Sequence, residues 1–172
     1  MNYEIDNLDR QILRILQKNA RRSFQLIAKD LIVSGGTIHI RFNKLKEAGV
    51  IKGSHILIDP VKLGYDVCAF VGINLHNARD YKIVVNQLKE MPEILEAHYT
   101  TGKFNIFLKI AATSTRGLHN FLIEKLQNIP QVQSTETLIS LEMPIERDIP
   151  IELEEESVSG ILRKSNKESV KK

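Results

Sequence analysis

Two stretches of the sequence resemble each other at an offset of 38 residues, and this repeat constrains the fold more than any other feature. The first, LKEMPEILEAHYTT, begins at Leu88, and the second, LQNIPQVQSTETLI, begins at Leu126, with leucine, proline and apolar positions in register. The periodicity around them predicts six elements in the order β-α-β-β-α-β, over residues 65–75, 80–90, 94–101, 104–111, 115–128 and 132–141. Two copies of a βαβ unit predict a ferredoxin-like α+β domain, with an antiparallel sheet and both helices on one face.

The first predicted strand of this domain is apolar on both sides. The alternating residues are Val67, Ala69, Val71 and Ile73 on one side and Cys68, Phe70 and Gly72 on the other. One side would pack on the helices, and the other needs a partner because large exposed apolar patches are rare in monomers. We therefore expect a sheet-to-sheet homodimer.

Composition places the chain among soluble globular proteins. Of its 172 residues, 42% are apolar and 26% are charged, enough for one or two modest cores. The polar start MNYEIDNLDR does not resemble a signal peptide, and the longest apolar run, VCAFVGI, is too short to span a membrane. We expect a cytoplasmic protein without a membrane partner, in which Cys68 is a small core residue.

The N-terminal third has a helical pattern of its own. An apolar face over residues 8–16 predicts one helix, Ser23 caps a second, and a third begins after Ser34 and stops at Gly49. Only a few residues separate the second helix from the third, which indicates a helix-turn-helix. The stretch VIKGSHILID that follows is predicted to form two short β-like pieces broken at Gly53, which suits a wing.

These patterns divide the chain into four segments that differ in charge. They are a winged helix-turn-helix domain over 1–60, a linker over 61–66, the ferredoxin-like domain over 67–148 and a tail over 149–172. The first segment has ten Lys and Arg against six Asp and Glu, which suits a polyanionic partner but also ordinary solubility. The tail, acidic first and then basic, is predicted to be disordered.

The third helix turns apolar residues inward and leaves polar ones outside. The inward residues are Ile38, Phe42, Leu45 and Ala48, and the outward residues are Thr37, His39, Ile40, Asn43 and Lys44. A recognition helix needs such groups, because amide, hydroxyl and imidazole groups read base edges, a cation binds phosphate and Ile40 could touch a thymine methyl. From the pattern alone, an ordinary solvated helix face is an equal alternative.

Polar residues also gather late in two strands of the second domain. One hairpin tip reads TTGKFN and the corresponding part of the last strand reads QSTET. An alternating core requires neither group, so a ligand could bind against them. Threonine is also common on exposed strand faces, and that alternative stays open.

Several of these motifs together resemble one protein family. LDRQILRILQKNAR, IAKDLIVSGGTIHIRFNKLKEAGVI, LGYDV, the TTG tip and QSTETLI are similar to the leucine-responsive/asparagine-responsive (Lrp/AsnC) family of bacterial transcription regulators, over about residues 3–148. The closest likeness is to its asparagine-responsive branch. The resemblance implies a winged helix-turn-helix joined to a ferredoxin-like effector domain, homodimers that assemble into octamers, and a small amino acid, asparagine in that branch, bound between subunits.

Carried over by position, the resemblance implies two sets of site residues. The set for double-stranded DNA is Ser34, Thr37, His39, Ile40, Arg41, Asn43 and Lys44. The set for the amino acid is Tyr99, Thr101, Gly102, Lys103 and Asn105 from the hairpin and Gln133, Thr135 and Thr137 from the last strand of a neighbouring subunit. Gly102 would let the backbone approach a ligand carboxylate, and Asn105 and Gln133 would each offer a donor and an acceptor to an amide.

Two positions depart from the family pattern. Asn105 stands where many members carry an acid, so it offers a neutral carbonyl to the ammonium group of a ligand. Ile32 stands at the turn where the motif usually has glycine, and a positive φ there would cost about 1 kcal/mol.

Two other classes of function remain as alternatives. An enzyme is not expected, because the five histidines lack metal-ligand spacing and the sequence has neither a nucleophile triad pattern nor a glycine-rich phosphate loop. No cofactor or metal is therefore predicted. An architectural DNA-binding protein of the same family, without a true effector, would have the same helix-turn-helix.

Overall fold

The computed structural model describes residues 3–154 of the chain, and these form two units. The first unit joins residues 3–56 to residues 147–154, and the second comprises residues 57–146. The predicted linker at 61–66 lies in the second unit, where it contains a 3₁₀ turn at Val61–Leu63.

Three helices build the first unit, and a side-chain cap fixes the start of each. They are α1 (Asn7–Lys18), α2 (Phe24–Leu31) and α3 (Gly35–Glu47). The caps are Asp6, Ser23 and Ser34, and each side chain accepts a hydrogen bond from the backbone N–H three residues further on. These bonds satisfy donors that the first helical turn leaves unpaired. Both predicted serine caps are confirmed.

The core of this unit consists of one face from each helix. Its fully buried members include Ile12, Ile27, Ile38 and Leu45. These are the residues that the helical spacing predicts to point inward. Ala48, also predicted to point inward, is exposed because it caps the end of α3.

Ile32 ends α2 in the left-handed conformation, with φ of +55° and ψ of +47°. The backbone cost that a positive φ would bring at this turn therefore applies. The side chain is 92% exposed, so packing does not offset the backbone strain of a β-branched residue.

Replacing Ile32 with glycine is expected to stabilise the first unit by about 0.5 to 1 kcal/mol, because glycine adopts this conformation without strain. The gain is reduced because glycine loses more backbone entropy than isoleucine when the chain folds. Urea unfolding followed by circular dichroism measures the change. The matched control is Ile40→Gly, another exposed isoleucine, which lies inside α3 and should lose about 1 kcal/mol. Equal effects at the two positions would contradict the strain at Ile32.

The prediction of strands for the wing is wrong for this structure. Residues 51–59 contain no strand, and Ile56 and Leu57 are exposed. An extended segment becomes a strand only when another strand satisfies its backbone groups. No strand of the described chain pairs with this segment.

The second unit has the predicted β-α-β-β-α-β order. Its elements are β1 (Val67–Leu75), α4 (Tyr81–Leu88), β2 (Ile94–Tyr99), β3 (Ile106–Ala112), α5 (Thr115–Asn120) and β4 (Val132–Ile139), with a 3₁₀ turn at Ala78–Asp80 and a π-helical turn at Phe121–Leu126. The sheet order is β2-β3-β1-β4, and all neighbours are antiparallel. The ferredoxin-like fold is confirmed, and β2 and β4 begin at the same offset as the sequence repeat.

Alternate residues of the sheet face the two helices and form the core. Those on the helix side include Val71 and Ile73 of β1 and Ile106, Leu108 and Ile110 of β3. They pack against α4 and α5 residues that include Val84, Leu88, Leu118 and Phe121. Both helices therefore lie on one face, as the repeat predicts.

The opposite face of the sheet carries a small aromatic cluster. The rings of Phe70 and Phe107 stack at 5.9 Å, and those of Phe104 and Phe107 at 6.1 Å. The Phe104 ring lies directly on Gly72, where an added Cβ would stand 2.5 Å from it. Glycine is therefore required in the middle of β1 for this ring to pack.

The prediction of a disordered tail over 149–172 is wrong for its first six residues. Residues 149–154 lie along α1 and exchange hydrogen bonds with it. Side chains of α1 pair with backbone N–H and C=O groups of these residues. The composition of the tail does not reveal these partners. The rest of the tail lies outside the described residues.

Candidate DNA-binding and effector sites

The outward face of α3 presents four of the residues predicted to contact DNA. His39, Ile40, Asn43 and Lys44 are exposed. Asn43 and His39, one turn apart, hydrogen-bond through Nδ2 and Nδ1 at 3.2 Å. This bond fixes two groups that could read base edges, beside a cation that could bind phosphate.

Two other residues predicted to contact DNA form the N-terminal cap of α3. The Ser34 hydroxyl accepts the backbone N–H of Thr37 at 3.0 Å and lies 2.8 Å from the Thr37 hydroxyl. Ser34 is exposed and Thr37 is half-buried. The pair therefore defines the N-terminus of α3, where backbone N–H groups favour an anion.

Arg41, also predicted to contact DNA, is directed towards α1. Its Nη1 forms an ion pair with Asp6 and lies 3.2 Å from Asp9. Asp9 is completely buried and also accepts a hydrogen bond from the Tyr3 hydroxyl at 2.8 Å. We refer to Tyr3, Asp6, Asp9 and Arg41 as the α1–α3 ion cluster. It joins α3 to the start of α1.

The charges in this cluster stabilise one another. Burial opposes ionisation of Asp6, but hydrogen bonds from the Asp9 backbone and from Arg41 outweigh it and lower the pKa of its carboxyl. The same pairing with Asp6 raises the pKa of Arg41 above its ordinary value. Burial, together with the Asp9 carboxylate, raises the pKa of Tyr3. The cluster therefore holds Asp6 ionised and Tyr3 protonated as a donor.

The hairpin residues of the predicted effector site lie at the end of β2 and in the tip that follows. We call Tyr99, Thr101, Gly102, Lys103 and Asn105 the hairpin cluster. The Tyr99 ring is half-exposed and stacks on Tyr81 of α4 at 4.5 Å. Gly102 has φ of +125°, and no atom approaches the position of a Cβ there. The tip therefore exposes backbone that a ligand can approach closely.

Asn105 has a structural role that its residue type did not predict. Its backbone N–H donates to the Ile73 carbonyl at 2.9 Å, and its Oδ1 accepts the backbone N–H of Leu75 at 2.8 Å. The side chain thus replaces a strand partner at the end of β1. This oxygen therefore already accepts one hydrogen bond, and its second lone pair and the Nδ2 group are left for a ligand.

The strand residues of the predicted site lie on β4. We call Gln133, Thr135 and Thr137 the β4 cluster. A pocket of about 200 Å³ lies here, and its lining residues are Gln127, Val132, Gln133, Ser134 and Thr135. Gln127 donates through Nε2 to the Thr135 hydroxyl at 3.5 Å. The sequence did not single out Gln127, because a polar residue after a helix gives no periodic signal.

Sheet order places Tyr99, on β2, and the β4 cluster at opposite edges. Tyr99 pairs with Ile106 and Thr135 pairs with Ile73, so both face the helix side. Three strand spacings, roughly 14 Å, separate β2 from β4. Other members of the hairpin cluster lie nearer to β4, since Asn105 bonds to β1 and Lys103 forms an ion pair with Glu136 on the other face. The backbone of an amino acid spans about 3.6 Å, so one ligand does not reach both Tyr99 and the β4 cluster of one subunit.

The described part of the chain contains neither a cluster of metal ligands nor a membrane-spanning helix. No three His, Cys, Asp or Glu side chains among residues 3–154 converge as metal ligands would. None of the helices in that range has the length and hydropathy to cross a bilayer.

The first unit is a helix-turn-helix with an exposed polar face on α3, and the second is a ferredoxin-like unit with polar clusters on its sheet and hairpin. Together they define a ligand-responsive DNA-binding protein. Residues 5–52 match the family described as winged helix-turn-helix DNA-binding, and residues 68–150 match the Lrp/AsnC ligand binding domain. The chain belongs to the Lrp/AsnC family of transcription regulators, as its sequence motifs indicated.

The alignments with similar proteins cover nearly the whole length of those proteins. Regulatory protein AsnC of Haemophilus influenzae is 50% identical over 147 residues, or 86% of this chain and 98% of that protein. Its namesake in Escherichia coli K12 is 49% identical over 148 residues, or 86% and 97%. The E. coli AsnC structure superposes with a TM-score of 0.83 at 48% identity and covers 86% of this chain and 99% of that one. The protein is thus a DNA-binding, amino-acid-responsive transcription regulator and not an enzyme.

Proposed function

We propose that the effector of this regulator is asparagine, bound between the hairpin cluster of one subunit and the β4 cluster of another. The observation that carries the proposal is the sheet order, which separates Tyr99 from the β4 cluster by roughly 14 Å within one subunit. A site that includes both Tyr99 and the β4 cluster therefore requires a second copy of the chain. The relatives named AsnC support the choice of ligand class.

The chemistry of the two clusters suits a small polar amino acid. The exposed N–H groups around Gly102 can hold a carboxylate, and the Tyr99 ring can cover one side of the ligand. Gln133, with Gln127 beside it, offers the amide donors and acceptors that a side-chain amide requires. Asn105 adds its Nδ2 donors and the second lone pair of its Oδ1. Glutamine, with an additional methylene group, should bind more weakly.

The same arrangement supports a homodimer that assembles further, and we propose an octamer. The aromatic face around Phe70 and Phe107 is the candidate for the dimer contact, since both of its rings are only half-buried in one subunit. The contact between clusters then requires a second interface between dimers. Such closed assemblies are the usual form of soluble homo-oligomers.

Light scattering at micromolar concentration should show a dimer or a multiple of it. Phe107→Glu should shift the mass towards the monomer, because it buries an unpaired charge in the apolar contact. Gln87→Glu adds the same charge on exposed α4 and should leave the mass unchanged. A monomeric wild-type protein would contradict the proposed dimer.

We also propose that α3 reads the major groove, with His39 and Ile40 at base edges and Lys44 on phosphate. Lys44→Ala should weaken binding to all sequences alike and flatten the salt dependence by about one ion, whereas His39→Ala should relax specificity. DNA selected from a random pool by the full chain serves as the probe in gel-shift titrations at several salt concentrations.

The control for this series is Lys18→Ala, which removes an exposed cation at the end of α1. It should leave specificity intact. If neither Lys44→Ala nor His39→Ala changes binding to the selected DNA, α3 is not the reading helix.

A further inference from the structure

The described part of the chain ends in a short segment, residues 149–154, that is attached to the start of α1. We call this segment the strap. The side chain of Asn7 donates through Nδ2 to the Glu154 carbonyl at 2.9 Å and accepts the Glu154 backbone N–H through Oδ1 at 2.7 Å. Arg10, one turn further along α1, forms an ion pair with the Glu154 carboxylate at 2.7 Å. Glu154 lies beyond residue 150, where the ligand-binding domain match ends, so the family match does not include this attachment.

The other end of the strap lies over a groove of the same unit. Gln17 donates through Nε2 to the Ile149 carbonyl at 3.0 Å, and Ile151 is half-buried. The groove measures about 570 Å³, and its apolar lining includes Leu13, Leu16, Phe42, Val50, Ile51 and Ile151. From the spacing of Asn7 and Gln17 along the helix, the two attachments span roughly 15 Å of α1.

The strap is attached to the same turn of α1 that is bonded to α3. Asn7 directly follows Asp6 in the sequence, and Arg10 directly follows Asp9. The two carboxylates hold Arg41 of α3 in the α1–α3 ion cluster. Because Asp6 also caps α1 and Asp9 is completely buried, this turn cannot shift without disturbing its contact with α3. A continuous set of bonds therefore runs from the strap to the helix that we propose reads DNA.

In the other direction along the chain, the strap leads back to β4, which carries the β4 cluster. The chain passes between the two units twice, at residues 56–57 and again at residues 146–147. β4 ends at Ile139, and the backbone N–H of Ser140 still donates to the Cys68 carbonyl of β1 at 2.9 Å. Only residues 141–148 separate this last sheet bond from the strap. The second passage therefore joins the strand of the proposed effector site to α1.

We propose that the strap is a regulatory tether, through which asparagine bound at the β4 cluster changes the affinity of α3 for DNA. The inference rests on the proposed asparagine site and on the proposed reading of DNA by α3. The tether has two states, with the strap attached to α1 or released from it. A ligand at β4 shifts this equilibrium when it binds one state more tightly than the other.

The attachment has the character of a reversible contact. Glu154 and Gln17 are exposed, and the Ile149 side chain is 79% exposed. Hydrogen bonds and ion pairs at such positions add little net stability, because water replaces the partners when the contact breaks. Elements held in this way open without unfolding the unit that holds them. A small difference in ligand affinity between the two states is therefore enough to move the strap.

The first test is the full-length variant Asn7→Ala with Gln17→Ala, which removes the amide that holds each end of the strap. Arg10 is kept, so that the charge of α1 does not change. Fluorescence anisotropy measures the affinity for selected DNA with and without saturating asparagine. The expected wild-type ratio of about fivefold or more should fall below about twofold, whereas calorimetry without DNA should give an unchanged asparagine affinity. The matched control, Gln11→Ala with Gln25→Ala, removes two amides that form none of the strap bonds and should keep the wild-type ratio.

A pair of shortened chains tests the strap with α1 unaltered. The chain that ends at Glu154 keeps the strap and should respond to asparagine as wild type does. The chain that ends at Asp148 lacks the strap and should respond less than about twofold. The comparison uses the ratio of affinities with and without asparagine, because removing Glu152 and Glu154 also changes the net charge.

Hydrogen exchange reports on the strap directly in the wild-type chain. Exchange of the Glu154 amide, whose N–H is bonded to Asn7, should change by about threefold or more when asparagine is added. Unchanged exchange, or a full response both in the Asn7 and Gln17 variant and in the chain that ends at Asp148, would overturn the tether and leave asparagine control in place. A wild-type chain whose DNA affinity does not change with asparagine would contradict asparagine control itself, and the tether with it.

Discussion

Replacing Arg41 with leucine should destabilise the DNA-binding unit by about 2 to 3 kcal/mol, although this residue lies on α3, the helix that we propose reads DNA. The change leaves the completely buried Asp9 without its cation, and an uncompensated buried charge is strongly destabilising. Urea unfolding followed by circular dichroism measures the loss. Lys44→Leu, the same change on the exposed face, should stay within about 0.5 kcal/mol.

The double variant Arg41→Leu with Asp9→Leu separates lost charge pairing from lost packing. It should recover part of the stability, because removing both partners leaves no unpaired charge. A double variant as unstable as Arg41→Leu, or an Arg41→Leu loss equal to that of Lys44→Leu, would contradict the role of the α1–α3 ion cluster.

The same cluster makes the stability of the DNA-binding unit depend on pH. The folded pKa of Asp6 lies below its unfolded value, so its ionised form adds stability that is fully present above about pH 3.9 and is lost as the pH falls through the folded pKa. Arg41→Leu removes one cause of the shift. Its unfolding free energy should therefore fall less steeply with acid than that of wild type.

Changing Gly102 to aspartate should abolish binding of the amino acid while DNA binding survives. The residue has φ of +125°, which side-chain-bearing residues rarely adopt, and a new carboxylate would repel that of the ligand. Calorimetry with asparagine measures the first effect and gel shift the second. A mutant with wild-type asparagine affinity would falsify the proposed site.

Gly64→Asp is the matched control. It introduces the same residue at another glycine with positive φ, +85°, in the same unit and outside both clusters. It should strain the backbone similarly and leave asparagine binding intact. Equal loss in both variants would assign the effect to stability and not to the site.

Topology could be predicted from the sequence because it depends on periodicity. The alternation of Val71 and Ile73 with Phe70 and Gly72 fixes which residues share a face of the sheet, and the repeat fixes which strands correspond. Serine caps are equally local signals. Each follows from residues close in sequence, so no knowledge of tertiary contacts is required.

What the sequence could not predict concerns partners that lie far apart in sequence. The family resemblance assigns Arg41 to the DNA set but does not reveal that Asp9, 32 residues earlier, lies within its reach. The residue type of Asn105 does not reveal that the sheet register brings the backbone N–H of Leu75 to its oxygen. The contact of residues 149–154 with α1 was missed because Asn7 is 147 residues away from Glu154.

The most direct test of the central claim is the affinity of the full chain for its selected DNA as asparagine is added at constant salt. A ligand shifts this equilibrium only through its different affinities for the two states. We predict a change of fivefold or more at saturation, a smaller change with glutamine and none in Gly102→Asp. Unchanged affinity at every asparagine concentration, with DNA binding otherwise normal, would contradict asparagine control and favour an architectural protein or another effector.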